Sequence, residues 1–310
     1  MKKKIVLFLL LLLLVACTTQ AAPDTTPKMP EFIQGEDFDL EAGADSYANA
    51  GDHAQSLYYT HPDFYNMKSS DTLTILPNFR TMQQTTEWSC GNVAALMSLH
   101  YLGITNYTEM QIAEIGGSHT DLDTAGAIPG SADNFYEYGT NVKQLYTFFS
   151  QVEGLQITDT SYAAEYTEAD LIKDGDGFTP NDIGNLYPTF SSNVLYASEN
   201  SDETESWVED AKDSFFVAMI RENLQNDRLM MVEWGDWDGH WTTIIGYDTM
   251  GTPGIGDDVI IFADSYDTSD HWQDGYRIYP AERFFYMWKD RSVAMKPYQL
   301  QPFITVELKK

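Results

Sequence analysis

The apolar stripe between Asn92 and Leu102 constrains the fold more than any other stretch of this sequence. Its apolar residues fall near helical spacing and cover most of the helix circumference: Val93, Ala94, Ala95, Leu96, Met97, Leu99, Tyr101 and Leu102. A stripe this broad predicts a helix that is buried on most sides and ends at Gly103. The segment is therefore expected in the interior of the fold.

Cys90 stands at the N-terminal end of this predicted helix, directly before Gly91. The unpaired backbone N–H groups and the helix dipole at such a position favour a thiolate. A cysteine placed there is a candidate nucleophile if a histidine can reach it. Gln84, six residues earlier, could donate a hydrogen bond to a developing oxyanion. The alternative is that Cys90 is a small buried core residue, which is the commoner fate of a free cysteine.

The first residues are typical of an export signal. Lys2–Lys4 precede an apolar run from Ile5 to Val15. As a helix this run would span about 16 Å, well short of the roughly 30 Å hydrocarbon core of a bilayer, so it predicts a signal peptide and not a membrane span. Its end, Leu14-Val15-Ala16-Cys17, resembles the bacterial lipoprotein signal, whose cysteine is lipidated. An ordinary cleavable signal with an incidental cysteine is the alternative.

The cysteine count and the composition suggest how the chain is organised. With Cys17 as the lipid acceptor, Cys90 has no partner for an intramolecular disulfide, and a lone exported thiol favours a catalytic role. We predict a signal peptide over residues 1–16, the lipidated cysteine with a Thr/Pro-rich tether over 17–35, and one domain over 36–310. This organisation predicts an extracytoplasmic protein of the bacterial cell envelope, anchored to the membrane by lipid.

The charge of the chain excludes some partners. Acidic residues outnumber basic ones by 47 to 18, and the formal net charge is −29. Such a balance argues against nucleic acid and against electrostatic binding to anionic lipid. We find no zinc-spaced cluster and no Gly-rich phosphate loop, and therefore expect no metal and no cofactor. Asp174–Gly177 is similar to part of a calcium loop but lacks its terminal Glu, so we interpret it as a turn. The protein is expected to be a monomer.

Patterns along the chain predict helices first and strands later. The predicted helices lie at 92–102, 109–115, 141–152, 167–172 and 205–226. Short β-rich runs follow at 229–234, 240–247 and 258–263, and 73–76 is an earlier strand candidate. This order suggests an α+β architecture with the two classes in separate layers. Residues 36–80 are either packed decoration of the domain or a pro-like strap over a cleft.

His240 is the best candidate among six histidines for the base that Cys90 needs. It stands at the start of a predicted strand after the turn Gly235–Gly239, where rigid backbone would hold the ring with one edge in a cleft. His100 lies about 15 Å along the same helix as Cys90 and cannot serve it. The others lie in the N-terminal segment or in loops: His53, His61, His119 and His271. The alternative is that His240 begins the strand without a catalytic partner.

A catalytic imidazole needs an acceptor on its second nitrogen, and Asp264 is the best candidate. Asp264 ends the run Val259–Ala263, so it should emerge at the same edge of the sheet as His240 if the two strands pair. Four aspartates in turns are alternatives: Asp236, Asp238, Asp248 and Asp267. Three tryptophans are candidates to line a peptide cleft or to cover the sheet: Trp234, Trp237 and Trp241.

The order and spacing of Gln84, Cys90-Gly91, His240 and Asp264 resemble those of the papain-like cysteine peptidases. The sequence is most similar to the C39-like group, whose third catalytic residue is Asp, and Asp264-Ser265-Tyr266 is similar to the Asn-Ser-Trp of papain. The resemblance covers roughly residues 79–286. It implies an α+β papain-like fold, in which a helical lobe carrying the Cys90 helix packs on an antiparallel β-sheet lobe. One departure is that Ser265 stands where the C39-like group commonly has Pro.

The resemblance also implies roles for these residues. Cys90 would be the nucleophile, His240 the base and later the acid, and Asp264 the residue that orients the imidazole. Gln84 and the backbone N–H of Cys90 would form the oxyanion hole. The implied function is a lipid-anchored cysteine peptidase that cleaves peptide or protein substrates through an acyl-enzyme thioester. The alternatives are a cell-wall amidase, an acyltransferase with the same triad, and a non-catalytic surface binding lipoprotein.

Overall fold

A computed structural model describes residues 62–86, 88–118, 139–162, 215–234, 239–267, 272, 274–288 and 302–310. The predicted signal and tether with Cys17 lie outside the described residues. So do the predicted helix at 167–172, the calcium-like turn at 174–177, four of the histidines (His53, His61, His119 and His271), and Asp236, Asp238 and Trp237. Within the described ranges, no helix is both long enough and apolar enough to span a bilayer.

In the part of the chain that the structure describes, an antiparallel sheet of seven strands forms the centre of the fold. Its strands are β1 (Leu73–Ile75), β2 (Leu155–Thr160), β3 (Leu229–Trp234), β4 (His240–Asp248), β5 (Val259–Ala263), β6 (Tyr276–Pro280) and β7 (Phe303–Leu308). Six of them follow the order β2-β7-β3-β4-β5-β6, and β1 pairs with β4. Every pairing is antiparallel.

Strand β4 is the strand around which the site is built. β3 pairs with its first half and β1 with its second half, while β5 pairs with it on the opposite side. Its residues are buried from His240 to Tyr247, which explains why the strand is apolar or small almost throughout. The sheet therefore holds the start of β4 in a fixed position.

The described α-helices pack around this sheet. They are α1 (Cys90–Tyr101), α2 (Glu109–Gly116), α3 (Val142–Phe149), α4 (Phe215–Gln225) and α5 (Ala281–Met287). Helix α1 contacts β4 and β3 of the sheet and also contacts α2 and α3. Because α1 has neighbours on several sides, most of its residues are buried, and the prediction of an interior helix is confirmed. The helix α2 is capped by Thr108 through a capping box, as its sequence indicates.

The α+β class is confirmed, but the predicted separation of helices from later strands is wrong. Strand β2 lies between α3 and α4 in the sequence and pairs with the C-terminal strand β7. Helix α5 follows β6 in the strand half of the chain. The sequence analysis missed β2, β6, β7 and α5. Strand β2 is at the edge of the sheet and partly exposed, so its pattern carries only a weak apolar signal.

The predicted helix at 141–152 is too long at both ends. Asn141 is the N-cap of α3, because its side chain accepts the backbone N–H of Gln144 while the Gln144 side chain accepts the N–H of Asn141. The helix ends at Phe149, and turns lead from there into β2. For the predicted helix at 205–226, the structure describes α4 from Phe215 onward.

Candidate active site

Cys90 is the first residue of α1 and is buried. The backbone N–H of Trp241 donates a hydrogen bond to Cys90 Sγ over 3.5 Å. The indole Nε1–H of Trp241 donates to the carbonyl oxygen of Thr140 over 2.8 Å. The first bond joins the start of α1 to the start of β4 at the sulfur, and the second joins the start of β4 to the segment that leads into α3. Trp241 is fully buried here and packs inside the fold, so it does not line an open cleft.

Gly91 allows α1 to approach β4 this closely. A Cβ atom added at Gly91 would lie 2.9 Å from Thr140 Cβ and 3.1 Å from Trp241 Cδ1. Thr140 is buried and β-branched, so it has little freedom to move away. The glycine after Cys90 is therefore a requirement of packing at the site.

We expect Gly91→Ala to push α1 away from β4 and to separate Cys90 from the Trp241 N–H. Overpacking of this kind typically lowers the free energy of unfolding by about 1–3 kcal/mol. We also expect the rate at which iodoacetamide alkylates Cys90 to differ from the wild-type rate. Urea unfolding and the alkylation rate would measure the two effects. Gly256→Ala is the matched control, because Gly256 is exposed and a Cβ there meets nothing within 4 Å. Equal behaviour of the two variants would contradict the packing argument.

His240 and Asp264 are in direct contact. His240 Nε2 lies 2.6 Å from Asp264 Oδ1, and both side chains are buried. The contact follows from strand register: β4 and β5 pair antiparallel up to Thr243 and Ala263, and Asp264 comes next. Because Nε2 is bonded to Asp264, Nδ1 is the ring nitrogen left for Cys90, whose sulfur helps to raise the pKa of the ring.

The electrostatics of this contact favour a charged histidine. Burial alone would lower the pKa of His240, but the Asp264 carboxylate and the Cys90 sulfur outweigh it and raise the pKa to about 10. Burial would raise the pKa of Asp264, but His240 and Arg277 outweigh it and hold this pKa well below its usual range. Both groups are therefore charged at neutral pH. An imidazolium beside a cysteine is an arrangement that supports a thiolate nucleophile.

Tyr266 completes the surroundings of the pair. Its backbone N–H donates to Asp264 Oδ1 over 2.9 Å, and its ring stands edge-on to the His240 ring, with 6.3 Å between the centroids. A carboxylate oxygen that accepts two hydrogen bonds is held in a narrow range of orientations. The aspartate is thus fixed by its own backbone turn as well as by the histidine.

The two alternative aspartates that the structure describes have other roles. Asp248 is the last residue of the nine-residue strand β4, about 26 Å along it from His240, and its side chain accepts the N–H of Met250. Asp267 is buried and its side chain accepts the N–H of Gly275 over 2.9 Å. Asp264, in contrast, contacts His240 directly.

Gln84 is buried and is held by the residue that follows Asp264. Its backbone N–H donates to the carbonyl oxygen of Ser265 over 3.1 Å, and Ser265 Oγ donates to Gln84 Oε1 over 2.7 Å. The second bond sets the orientation of the amide, whose Nε2 donates to the Thr86 carbonyl oxygen over 2.8 Å. An amide nitrogen carries two hydrogens, and this bond uses one of them.

The sequence analysis missed two residues that support the site. Glu109 at the start of α2 accepts the backbone N–H of Thr85 over 3.1 Å and its hydroxyl over 2.9 Å, which anchors the segment that carries Gln84. Arg277 on β6 places its Nε 3.1 Å from Asp264 Oδ2. A charged residue inside a short β-rich run was the available signal for Arg277, but β6 itself was not predicted. Glu109 had no signal beyond its ordinary place in the first turn of a helix.

The described residues contain no group of three or more His, Cys, Asp and Glu side chains that could hold a metal ion.

A surface cavity of about 430 Å³ lies between the loop after α1 and the end of α3, lined among others by Ile104, Tyr107 and Val152. None of its lining residues belongs to the site around Cys90. The cavity therefore contributes nothing to the chemistry of the cysteine.

Comparisons with protein-family models and with curated proteins find no match to this chain. Its function is therefore inferred from the geometry of Cys90, His240 and Asp264 and from the resemblance in their sequence pattern.

Proposed function

We propose that the chain is an exported, lipid-anchored cysteine peptidase of papain-like fold, similar to the C39-like group. The observation that carries the proposal is the direct contact of buried His240 with Asp264, beside Trp241, whose backbone N–H contacts Cys90 Sγ. Two features of the fold support it. The end of helix α1 that carries Cys90 packs on the antiparallel sheet. His240 and Asp264 lie at one end of the neighbouring strands β4 and β5.

In the proposed acylation step, Cys90 Sγ attacks the carbonyl carbon of the scissile peptide bond, and the C=O π electrons move to the oxygen. The Gln84 amide and the Cys90 backbone N–H stabilise the resulting oxyanion. His240 then passes its Nδ1 proton to the leaving nitrogen as the C–N bond breaks. The products are a free amine and a thioester on Cys90.

In the proposed deacylation step, neutral His240 removes a proton from water as the water oxygen attacks the thioester carbon. The C–S bond breaks, which restores the thiolate and the imidazolium and releases the carboxylic acid product. Asp264 keeps Nδ1 directed at the reacting atoms and stabilises the imidazolium during both steps. The three residues and the oxyanion donors thus account for a complete hydrolytic cycle.

The test of this function is cleavage of peptides together with selective labelling of Cys90. A soluble form beginning at Asp24 would be incubated with a mixture of quenched fluorescent peptides, and the products identified by mass spectrometry. We expect cleavage, and we expect iodoacetamide to label Cys90 faster in the native protein than in the denatured chain. Labelling no faster than in the denatured chain, without cleavage, would indicate a binding protein instead. Products joined to an added amine would indicate an acyltransferase, and cleavage of muropeptides alone a cell-wall amidase.

The proposed lipid anchor leads to a separate prediction about Cys17. A lipoprotein carries two or three acyl chains, which hold a protein on a membrane far more firmly than one. We expect Cys17→Ala to move the protein from the membrane fraction to the soluble fraction, as measured by fractionation and immunoblotting. Cys90→Ala is the control and should remain with the membrane. Unchanged membrane retention of Cys17→Ala would contradict the anchor.

The proposed oxyanion hole leads to a prediction about Gln84. We expect Gln84→Ala to lower kcat by about 10²-fold or more, because one donor to the oxyanion is lost. Ser265→Ala keeps the Gln84 amide but removes the hydroxyl that holds Gln84 Oε1. We therefore expect a smaller decrease in kcat for this variant. Thermal unfolding would show that both variants are folded. Wild-type kcat in folded Gln84→Ala would exclude this residue from the site.

A further inference from the structure

Arg277 is a buried cation next to the proposed triad. It lies directly opposite Phe262 where β6 pairs with β5, and its guanidinium carbon is 5.0 Å from the centroid of the Phe262 ring. Stacking on an aromatic face offsets only part of the cost of removing a charge from water. A buried arginine therefore indicates an anionic partner nearby.

That partner is Asp264, whose two carboxylate oxygens face different groups. Oδ1 faces His240 Nε2 and the N–H of Tyr266, while Oδ2 lies 3.1 Å from Arg277 Nε. Rotation of the carboxylate would break contacts on both sides. The backbone N–H of Asp264 also donates to the carbonyl oxygen of Gly275 over 2.9 Å, which ties the end of β5 to the start of β6.

We propose that Arg277 is a positioning residue of the site, which keeps the Asp264 carboxylate ionised and turned so that Oδ1 faces His240. Any contribution to turnover rests on the function proposed above. The effect of Arg277 on the histidine follows from these contacts alone and requires no substrate.

The charged and titratable groups at the site come from several elements. Cys90 belongs to α1, His240 to β4, Asp264 to the end of β5 and Arg277 to β6. Glu233 on β3 approaches the turn into β4, where a Cβ on Gly239 would lie 2.5 Å from its Oε1. Arg277 favours the Asp264 carboxylate, and that carboxylate is the main group that raises the pKa of His240 against burial. Loss of Arg277 should therefore weaken the hold of Asp264 on the imidazolium, so that His240 loses its proton at lower pH.

The test compares Arg277→Met, which keeps a similar apolar length, with Arg277→Lys, which keeps the charge but loses the planar guanidinium. Full-length protein with isotope-labelled histidine would be titrated by NMR, and the His240 signal assigned with His240→Gln. We expect Arg277→Met to lower the His240 midpoint by about one pH unit and Arg277→Lys to stay near wild type. Asp264→Asn should move the midpoint in the same direction.

A double variant shows whether Arg277 acts through Asp264. In the Asp264→Asn background, Arg277→Met should have a much smaller effect on the midpoint, because the carboxylate it acts through is absent. An unchanged or raised midpoint in folded Arg277→Met would overturn the proposal. If that variant does not fold, Arg277→Gln carries the same expectation. Failure to cleave peptides with these shifts intact would contradict the proposed function and leave the role of Arg277 standing.

Discussion

Cys90→Ala is expected to abolish peptide cleavage, lowering kcat/KM by at least about 10⁵-fold, which is the scale of losing a nucleophile from a catalytic triad. Without Sγ no thioester forms, and the remaining donors at Gln84 and the backbone can only bind the substrate. The fold should persist, because the bond from the Trp241 N–H to the sulfur is long and weak. The measurement is kcat/KM on a peptide that the wild type cleaves, with thermal unfolding alongside.

Two further variants show whether the loss is specific to the sulfur. Cys90→Ser keeps size and position but replaces a thiol with a much less acidic hydroxyl, so it should also be nearly inactive. Ser98→Ala is the control on the same helix, because Ser98 is buried and its hydroxyl donates to the Ala94 carbonyl oxygen one turn earlier. Wild-type cleavage by folded Cys90→Ala would mean that another group performs the chemistry.

Asp264→Asn is expected to move the basic limb of the pH–activity profile to lower pH. The pKa of His240 is raised to about 10 against the opposing effect of burial, chiefly by the Asp264 carboxylate and also by Cys90. Asparagine keeps the shape and one acceptor but removes the charge. Burial, which lowers the pKa of His240, is then less strongly opposed, and the imidazolium loses its proton at lower pH. The measurement is kcat/KM between pH 5 and about 11, an interval that spans the unperturbed and shifted pKa of histidine.

The controls for this prediction separate charge from orientation. Asp264→Ala removes the acceptor as well and leaves Arg277 without the carboxylate it contacts. Its kcat/KM should therefore be lower than that of Asp264→Asn at every pH. Asp248→Asn changes a turn aspartate at the far end of β4 and should leave both limbs unmoved. A basic limb that does not move in Asp264→Asn would mean that another group sets the charge of His240.

The same ion pair links the stability of the folded chain to pH. Because the folded pKa of His240 lies above its unfolded value near 6.5, its contribution is fully present below pH 6.5 and is lost as pH rises through about 10. Asp264 has a depressed pKa, so its contribution is present above its unfolded pKa and is lost only in strong acid. The site therefore favours the folded state most strongly between the unfolded pKa of Asp264 and pH 6.5.

Much of the fold was predictable because the signals are local. The broad apolar stripe after Cys90 indicated an interior helix, and α1 contacts other elements on several sides. Thr108 and the run Val259–Ala263 indicated a helix start and a strand, which are now α2 and β5. Such features follow from periodicity and end residues, which depend on neighbours within a few positions. Edge strand β2 and the late helix α5 lacked so clear a pattern.

The sequence by itself determined which residues could do chemistry: a cysteine at a helix start, a histidine at a strand start and an aspartate at a strand end. Only the tertiary structure decided that they meet, because strand register sets which residues of β4, β5 and β6 lie side by side. It also decided the contacts of Gln84 with Ser265 and of Arg277 with Asp264. Strand register brings together residues from segments that are far apart in the chain. Such contacts produce no periodic pattern in the sequence of either segment.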